Sequence, residues 1–264
     1  MPKSIWNGSI SFGLVNIPVK VYSATKSGKI SFQILCKEGH PIEYKRWCPV
    51  EQREVKWEEI KKGYKISKDN YVIIEKDELK NIRLPTTKTI EILEFVDAPQ
   101  IDPIYIDKSY YVVPEDTGIK AYSLFVEALN LANKIAIGKV VMRDKEYLVA
   151  LRAYKKGIIM HVLHYIGEIK PIEELDELKK LVVVKKEELK LAELLIQKLT
   201  QDEFKIEKFS DTYTEAVKNL IKAKLEGKEF EVKSEEKVEE AKSLMEALKA
   251  SVEVAEKRKK RVSE

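Results

Sequence analysis

The sequence predicts a β-rich domain, a barrel or a sandwich, followed by a helical arm. Three observations carry this. Short runs rich in Ile, Val, Phe and Tyr recur through residues 1–170. Beyond Pro171 the apolar spacing switches from a period of two to a helical period. From Glu231 onward a single narrow apolar stripe remains, too little to form a core. The predicted domains are therefore a β core over 1–170, a helical arm over 171–230 and a tail over 231–264.

The elements follow in order. Between Ile5 and Tyr22, Ile10, Phe12 and Leu14 and then Ile17, Val19 and Val21 alternate, with Asn16 and Pro18 taken as a bend or bulge between two strand halves. Further strands are predicted over Lys29–Leu35, Tyr71–Glu75, Thr89–Val96, Tyr105–Val113, Ile135–Met142, Leu148–Ala153 and Ile158–Tyr165. So many short strands imply a barrel or sandwich. One helix interrupts them after Gly118, carried by Tyr122, Phe125, Val126, Leu129 and Leu131 and ending near Asn133. In the arm, Leu189, Leu191, Leu194, Leu195 and Leu199 mark one amphipathic helix. Tyr213, Val217, Leu220, Ile221 and Leu225 mark a second that stops at Gly227. The tail carries the stripe Val238, Leu244, Met245, Leu248 and Val252 and closes on the basic run Lys257–Arg261.

Net charge says little: 48 basic against 44 acidic residues leave a formal +4. Its distribution says more. Residues 1–30 hold Lys3, Lys20, Lys26 and Lys29 and no acid, residues 120–170 hold nine basic residues against four acidic, and residues 67–119 hold eleven acidic against six basic. Basic residues interleave with aromatics in Tyr44-Lys45-Arg46-Trp47 and in Arg152-Ala153-Tyr154-Lys155-Lys156, a pattern suited to phosphate contacts backed by packed rings. A Lys-rich solvated face is the competing reading. Two cysteines, no charged-then-apolar leader and no apolar run near 18 residues predict a cytoplasmic protein in a reducing compartment.

Catalytic chemistry finds no motif. The glycines form neither a G-x-x-x-x-G-K-S/T loop nor a G-x-G-x-x-G turn, so no nucleotide cofactor is expected. His161 and His164, three apart on a predicted strand, point to opposite faces and cannot share a metal. Asp97, Asp102 and Asp107 neighbour Pro99 and Pro103 and read as turn formers. Cys36, His40 and Cys48 approach zinc-ribbon spacing, but Glu51 stands where a second knuckle cysteine belongs. Two buried free thiols and no metal are expected instead.

The opening run from Ile5 to Tyr22, IWNGSISFGLVNIPVKVY, resembles the first strand pair of bacterial and archaeal Ku proteins. Similar stretches follow in family order: Lys62-Gly63-Tyr64, Thr89–Ile92, Ile101–Tyr105, Tyr110–Pro114, Lys120-Ala121-Tyr122, Asp211-Thr212-Tyr213 and Leu244–Lys249. The resemblance implies a Ku-type β-barrel with an extended bridging loop, here about 36–85, and a helical C-terminal arm. It also implies a non-catalytic homodimer that rings the ends of double-stranded DNA, protects and bridges them, and recruits an ATP-dependent DNA ligase of the ligase D type for non-homologous end joining at the nucleoid. Many relatives carry Cys-x-x-Cys where Cys48-Pro49-Val50-Glu51 stands, and the departure at Glu51 argues against zinc.

Candidate phosphate contacts are Lys20, Lys26 and Lys29 near the start and Lys45, Arg46, Arg53, Lys56, Lys61 and Lys62 in the bridge. Arg143, Arg152, Lys155 and Lys156 complete the set from the basic stretch of the core. Leu244, Met245, Leu248 and Val252 are the candidate ligase-docking stripe, a helix suited to a groove. Two alternatives stand beside this reading: a general single-strand-binding barrel, which needs aromatic stacking platforms, and a ligase-associated adaptor that does not touch DNA, against which the acid-free first thirty residues count.

Overall fold

The structure, a computed structural model, describes residues 3–68, 70–75, 77–78, 88–143, 145–228 and 244–262. The side chains of Leu244 and of residues 255–262 fall outside that description. The chain divides into two compact units: Met1–Ser27 with Ser31–Pro171, and Gly28–Ile30 with Ile172–Glu264.

The first unit is built on a closed seven-stranded barrel. Its strands are β1 (Trp6–Phe12), β2 (Val15–Ser23), β7 (Thr89–Asp97), β8 (Ile106–Pro114), β9 (Lys134–Met142), β10 (Lys145–Tyr154) and β11 (Gly157–Leu163), in the order β1-β2-β8-β11-β10-β9-β7. Every pairing is antiparallel except β1 with β7, a parallel contact that closes the barrel and leaves no free edge. The alternation read from the sequence is the inside-outside alternation of the wall: Ile10, Ile17, Val19, Val21, Ile90, Val112, Val149, Leu151 and Met160 are fully buried.

The β1–β2 turn lies at Gly13, whose φ of +58° suits a residue without a Cβ, and at Leu14. The expected break at Asn16 and Pro18 is thus corrected: both lie inside β2. Pro18 is tolerated because β8 contributes its last partner, Pro114, opposite Val19, so the missing N–H faces no ladder acceptor; the Pro18 carbonyl accepts from Glu115 N at 2.9 Å.

Helix α1 (Ile119–Ala132) corks one end of the barrel. Phe125 stacks on Phe12 with ring centroids 4.9 Å apart, and the Tyr122 hydroxyl donates to the Val112 carbonyl at 2.6 Å and accepts from Ile158 N at 2.8 Å. Gly118 allows the approach, since a Cβ there would meet the Pro18 carbonyl at 2.8 Å. Asn133 closes the helix in the left-handed conformation at φ 50°, as its position in the sequence predicts. Leu131, read as part of the buried stripe, is instead exposed.

Between β2 and β7 the chain leaves the barrel and forms two small hairpins, β3 (Trp47–Cys48) with β4 (Arg53–Glu54) and β5 (Lys62–Ser67) with β6 (Asn70–Ile74). No strand forms over 29–35: Phe32, Ile34 and Leu35 are exposed, and only Leu35 makes an isolated bridge, to Pro41. Bridge positions 69, 76 and 79–85 lie outside the described residues.

The second unit holds α2 (Lys186–Leu199), α3 (Thr212–Leu225) and α4 (Leu244–Val262). Asp211 caps α3, accepting from Thr214 N at 2.9 Å and from the Thr214 hydroxyl at 2.6 Å, and these bonds lower its carboxyl pKa. Gly227, at φ 68°, follows the helix end where the sequence placed the stop. Among the described residues no side chain of α2 or α3 is buried.

Candidate nucleic-acid interface

Barrel register gathers some of the candidate cations and disperses others. Outward-facing residues of β2, β8, β11 and β10 align in a row in which Tyr22 pairs with Tyr111, Tyr111 with Ile159 and Ile159 with Arg152. Lys20 lies opposite Val113 in the neighbouring row, and Lys155 and Lys156 form the turn after β10. Two of its cations share one ring. The Arg152 guanidinium carbon is 5.3 Å and the Lys155 ammonium 5.5 Å from the Tyr154 ring centroid, and Tyr154 stacks on Tyr111 at 6.3 Å. Lys20 approaches Glu115 at 4.0 Å, a loose and half-exposed pairing.

His161, half-buried in β11, is the polar hinge of this face. Arg152 Nε donates to His161 Nε2 at 3.2 Å, so the opposite nitrogen, Nδ1, carries the proton and donates to the Ser109 hydroxyl at 2.8 Å. Burial, and then the Arg152 charge, push the imidazole pKa down and keep the ring neutral. The sequence pattern only separates His161 from His164 as metal ligands; its role in fixing Arg152 depends on a cross-strand register that only pairing reveals. His164 lies just past the end of β11, with Nδ1 3.4 Å from Glu168.

Several bridge cations are engaged by acids and a ring of the bridge itself. Arg53 pairs with Glu51 at 2.6 Å and with Glu59 at 2.7 Å, and its guanidinium pKa is raised chiefly by the Glu59 hydrogen bond. Lys45 lies 3.7 Å from Glu54 and Lys61 2.6 Å from Glu75, while Arg46 stacks over Trp57 at 5.1 Å. Lys56 and Lys62 are exposed. Lys26 is exposed beyond the end of β2, Lys29 falls in the second unit, and Arg143 stands at the β9–β10 turn, the opposite end of β10 from Lys155. At strand rise that separation is roughly 30 Å.

The cysteine reading needs one correction: Cys36 is exposed and Cys48 half-buried, so neither thiol is a core residue. Cys36 Sγ lies 3.7 Å from His40 Nδ1, while the Glu51 carboxylate is taken by Arg53. Among the described residues no group of three or more His, Cys, Asp or Glu side chains is placed to hold a metal. Asp102 serves a turn as expected, accepting from Ile104 N at 3.0 Å, whereas Asp97 ends β7 and pairs with Lys134 at 2.7 Å, and Asp107 is corrected to a place inside β8. Among the described residues no helix is long and apolar enough to cross a membrane.

In the second unit α4 packs against α2. Met245, Leu248 and Val252 are half-buried along one face of α4, and Leu191, Ala192 and Leu195 are half-buried along one face of α2. The remaining tail residues, 231–243, and the side chains of Leu244 and the Lys257–Arg261 run lie outside the described residues.

Residues 11–209 match the family model described as the Ku70/Ku80 beta-barrel domain. A protein of Archaeoglobus fulgidus named non-homologous end joining protein Ku is 46% identical over 95% of this chain and 98% of its own length. Proteins of the same name from Heliobacterium modesticaldum (40% identical, 98% of this chain, 94% of that one) and Bacillus subtilis (39%, 94% and 81%) are similar throughout. The matched span takes in the barrel from the end of β1 onward, its cork, the bridge hairpins and part of the arm, and on that ground the chain belongs to the Ku family.

Proposed function

We propose that this protein binds the ends of double-stranded DNA as a homodimeric ring, protects and bridges them, and brings a DNA ligase of the ligase D type to the break. It does so without a catalytic step of its own. The observation that carries the reading is the outward strip Lys20, Tyr22, Tyr111, Arg152, Tyr154 and Lys155 on the barrel wall. Arg152 and Lys155 lie over the Tyr154 ring and Lys20 follows along β2, an arrangement spread along strands and not shaped to read base edges. Such a surface takes phosphates regardless of sequence. The names of the relatives, all in end joining, support the same assignment.

A ring needs no recognition of the terminal base to prefer ends, because it threads onto a free end and not onto a closed circle. Bridge cations Arg46, Lys56 and Lys62 would then meet phosphates on the far side of the duplex, whereas Arg53 serves its own loop. Met245, Leu248 and Val252 remain the proposed ligase-docking stripe. In the isolated chain they are engaged with α2, so docking exchanges one helical partner for another.

Competition at fixed salt tests the reading. Linear duplex is expected to displace labelled linear duplex efficiently, with closed circle and single strand far weaker and affinity falling steeply as salt rises. Equal competition by the circle overturns threading. Preference for single strand moves the protein to the alternative class, in which the tyrosines of the strip act as stacking platforms.

A further inference from the structure

The two ends of the barrel are finished differently. Helix α1 corks one. At the other, the starts of β1, β8 and β10 and the ends of β9 and β11 surround a concavity of about 200 Å³. Its floor is apolar, made by Met142 and Val162, which are buried. Its walls are the half-buried rings of Trp6, Tyr110 and Tyr147, and its rim carries Asp107, Lys108 and Arg143.

The walls are held firmly. The Trp6 indole N–H donates to the Val141 carbonyl at 3.2 Å, and Lys145 sits 5.3 Å from the Tyr147 ring centroid. Arg143 is the more telling residue. It takes φ 50° at a turn where Gly, Asn or Asp sits with less strain, and among the described residues it makes no ion pair. A long cation held in that conformation at the lip of an aromatic pocket suits an anion arriving from solvent.

We propose that the barrel mouth is a pocket for one unpaired nucleotide at a DNA terminus, an inference that rests on the end-binding reading above. The base stacks among Trp6, Tyr110 and Tyr147, the phosphate meets Arg143 and Lys108, and the Asp107 carboxylate accepts from an exocyclic amine. The volume lies below the roughly 300 Å³ at which drug-sized sites begin, which suits a single base. Aromatic walls provide sequence-tolerant affinity. Asp107 adds a bias, since adenine, cytosine and guanine carry an exocyclic amine and thymine does not.

The test compares full-length protein on blunt duplex, on duplex with a one-nucleotide cytosine overhang, and on the same overhang lacking its base. The base-bearing overhang is expected to bind about tenfold tighter than the abasic one, the scale of one added base stack. Tyr147→Leu is expected to abolish that difference and leave blunt-end binding unchanged. Asp107→Ala, at an exposed position, is expected to erase the preference for a cytosine over a thymine overhang, the latter added as a fourth substrate. Equal binding of base-bearing and abasic overhangs, with blunt ends still bound, overturns the pocket and leaves end binding standing; loss of blunt-end binding in the unaltered protein overturns end binding itself. Free deoxycytidine monophosphate at micromolar concentration should not remove the overhang preference. If it does, the mouth is a site for free nucleotides and the assignment to DNA termini fails.

Discussion

The barrel and the arm put their apolar side chains to opposite ends. In the barrel, Ile10, Ile17, Val19, Val21, Ile90, Val112 and Leu151 are wholly withdrawn from water. In the arm, Ile196 is 65% exposed, Phe209 71%, Tyr213 75% and Leu225 83%, although the helices that carry or flank them are amphipathic. A closed sheet with a helical cork encloses a core of its own, although Leu93, Phe95, Leu124 and Leu131 stay exposed on it. Helices α2 and α3 bury no side chain among the described residues, and the apolar residues they leave exposed are the surface we propose for a second copy of the chain. The first unit thus holds a core of its own, and the second leaves apolar surface of the kind the proposed dimer would cover.

The largest expected effect lies in the barrel. Leu151→Ala removes a fully buried side chain and is expected to cost about 2–5 kcal/mol in denaturant unfolding. The equivalent change at exposed Ile196 is expected to stay within about 0.5 kcal/mol for the isolated chain. Equal costs would erase the distinction between the units.

Next comes assembly. Leu194→Asp together with Leu220→Asp is expected to shift sedimentation from dimer to monomer at micromolar concentration while barrel melting stays unchanged. A dimer that survives both substitutions places its interface elsewhere. Tyr122→Phe removes a buried hydroxyl that serves Val112 and Ile158 together, with an expected cost of about 1–3 kcal/mol.

How much of this was legible in the sequence follows the same divide. Barrel strands were readable because Ile and Val at every second position leave one buried face, and α1 because Tyr122, Phe125, Val126 and Leu129 keep helical spacing up to Asn133. The segment 29–35 carried the same alternation without forming a strand, since Phe32 and Ile34 have no neighbouring strand to pair with and no core to enter. Pro18 suggested a break because it lacks a donor; that the donor would have faced past the end of β8 is a fact of register. The strip and the mouth were illegible for the same reason. They join residues from strands distant in sequence, so Arg152 could be flagged by its charge but not tied to His161 and Ser109, and Trp6 could be matched to a family motif but not placed opposite Tyr147.

The smallest effect is a pH dependence at that strip. Unfolded histidine takes up its proton near pH 6.5, about the ordinary value. In the fold, burial and then Arg152 hold the His161 proton off to lower pH. Between those values the unfolded chain binds more protons, so this contribution is complete above about pH 6.5 and lost as pH falls toward the folded value. Thermal melts are expected to show an acid-side decline that is shallower in His161→Gln. An identical decline in both would remove His161 from the account.

The most direct test of the ring is topological. Protein is loaded on linear duplex, the DNA is closed into a circle by ligation, and the complex is washed in high salt, which screens phosphate contacts. A threaded ring is expected to stay on the circle through the wash and to leave when a restriction enzyme reopens it. Release from the intact circle, at the rate seen from linear DNA, would contradict a ring that encloses the duplex.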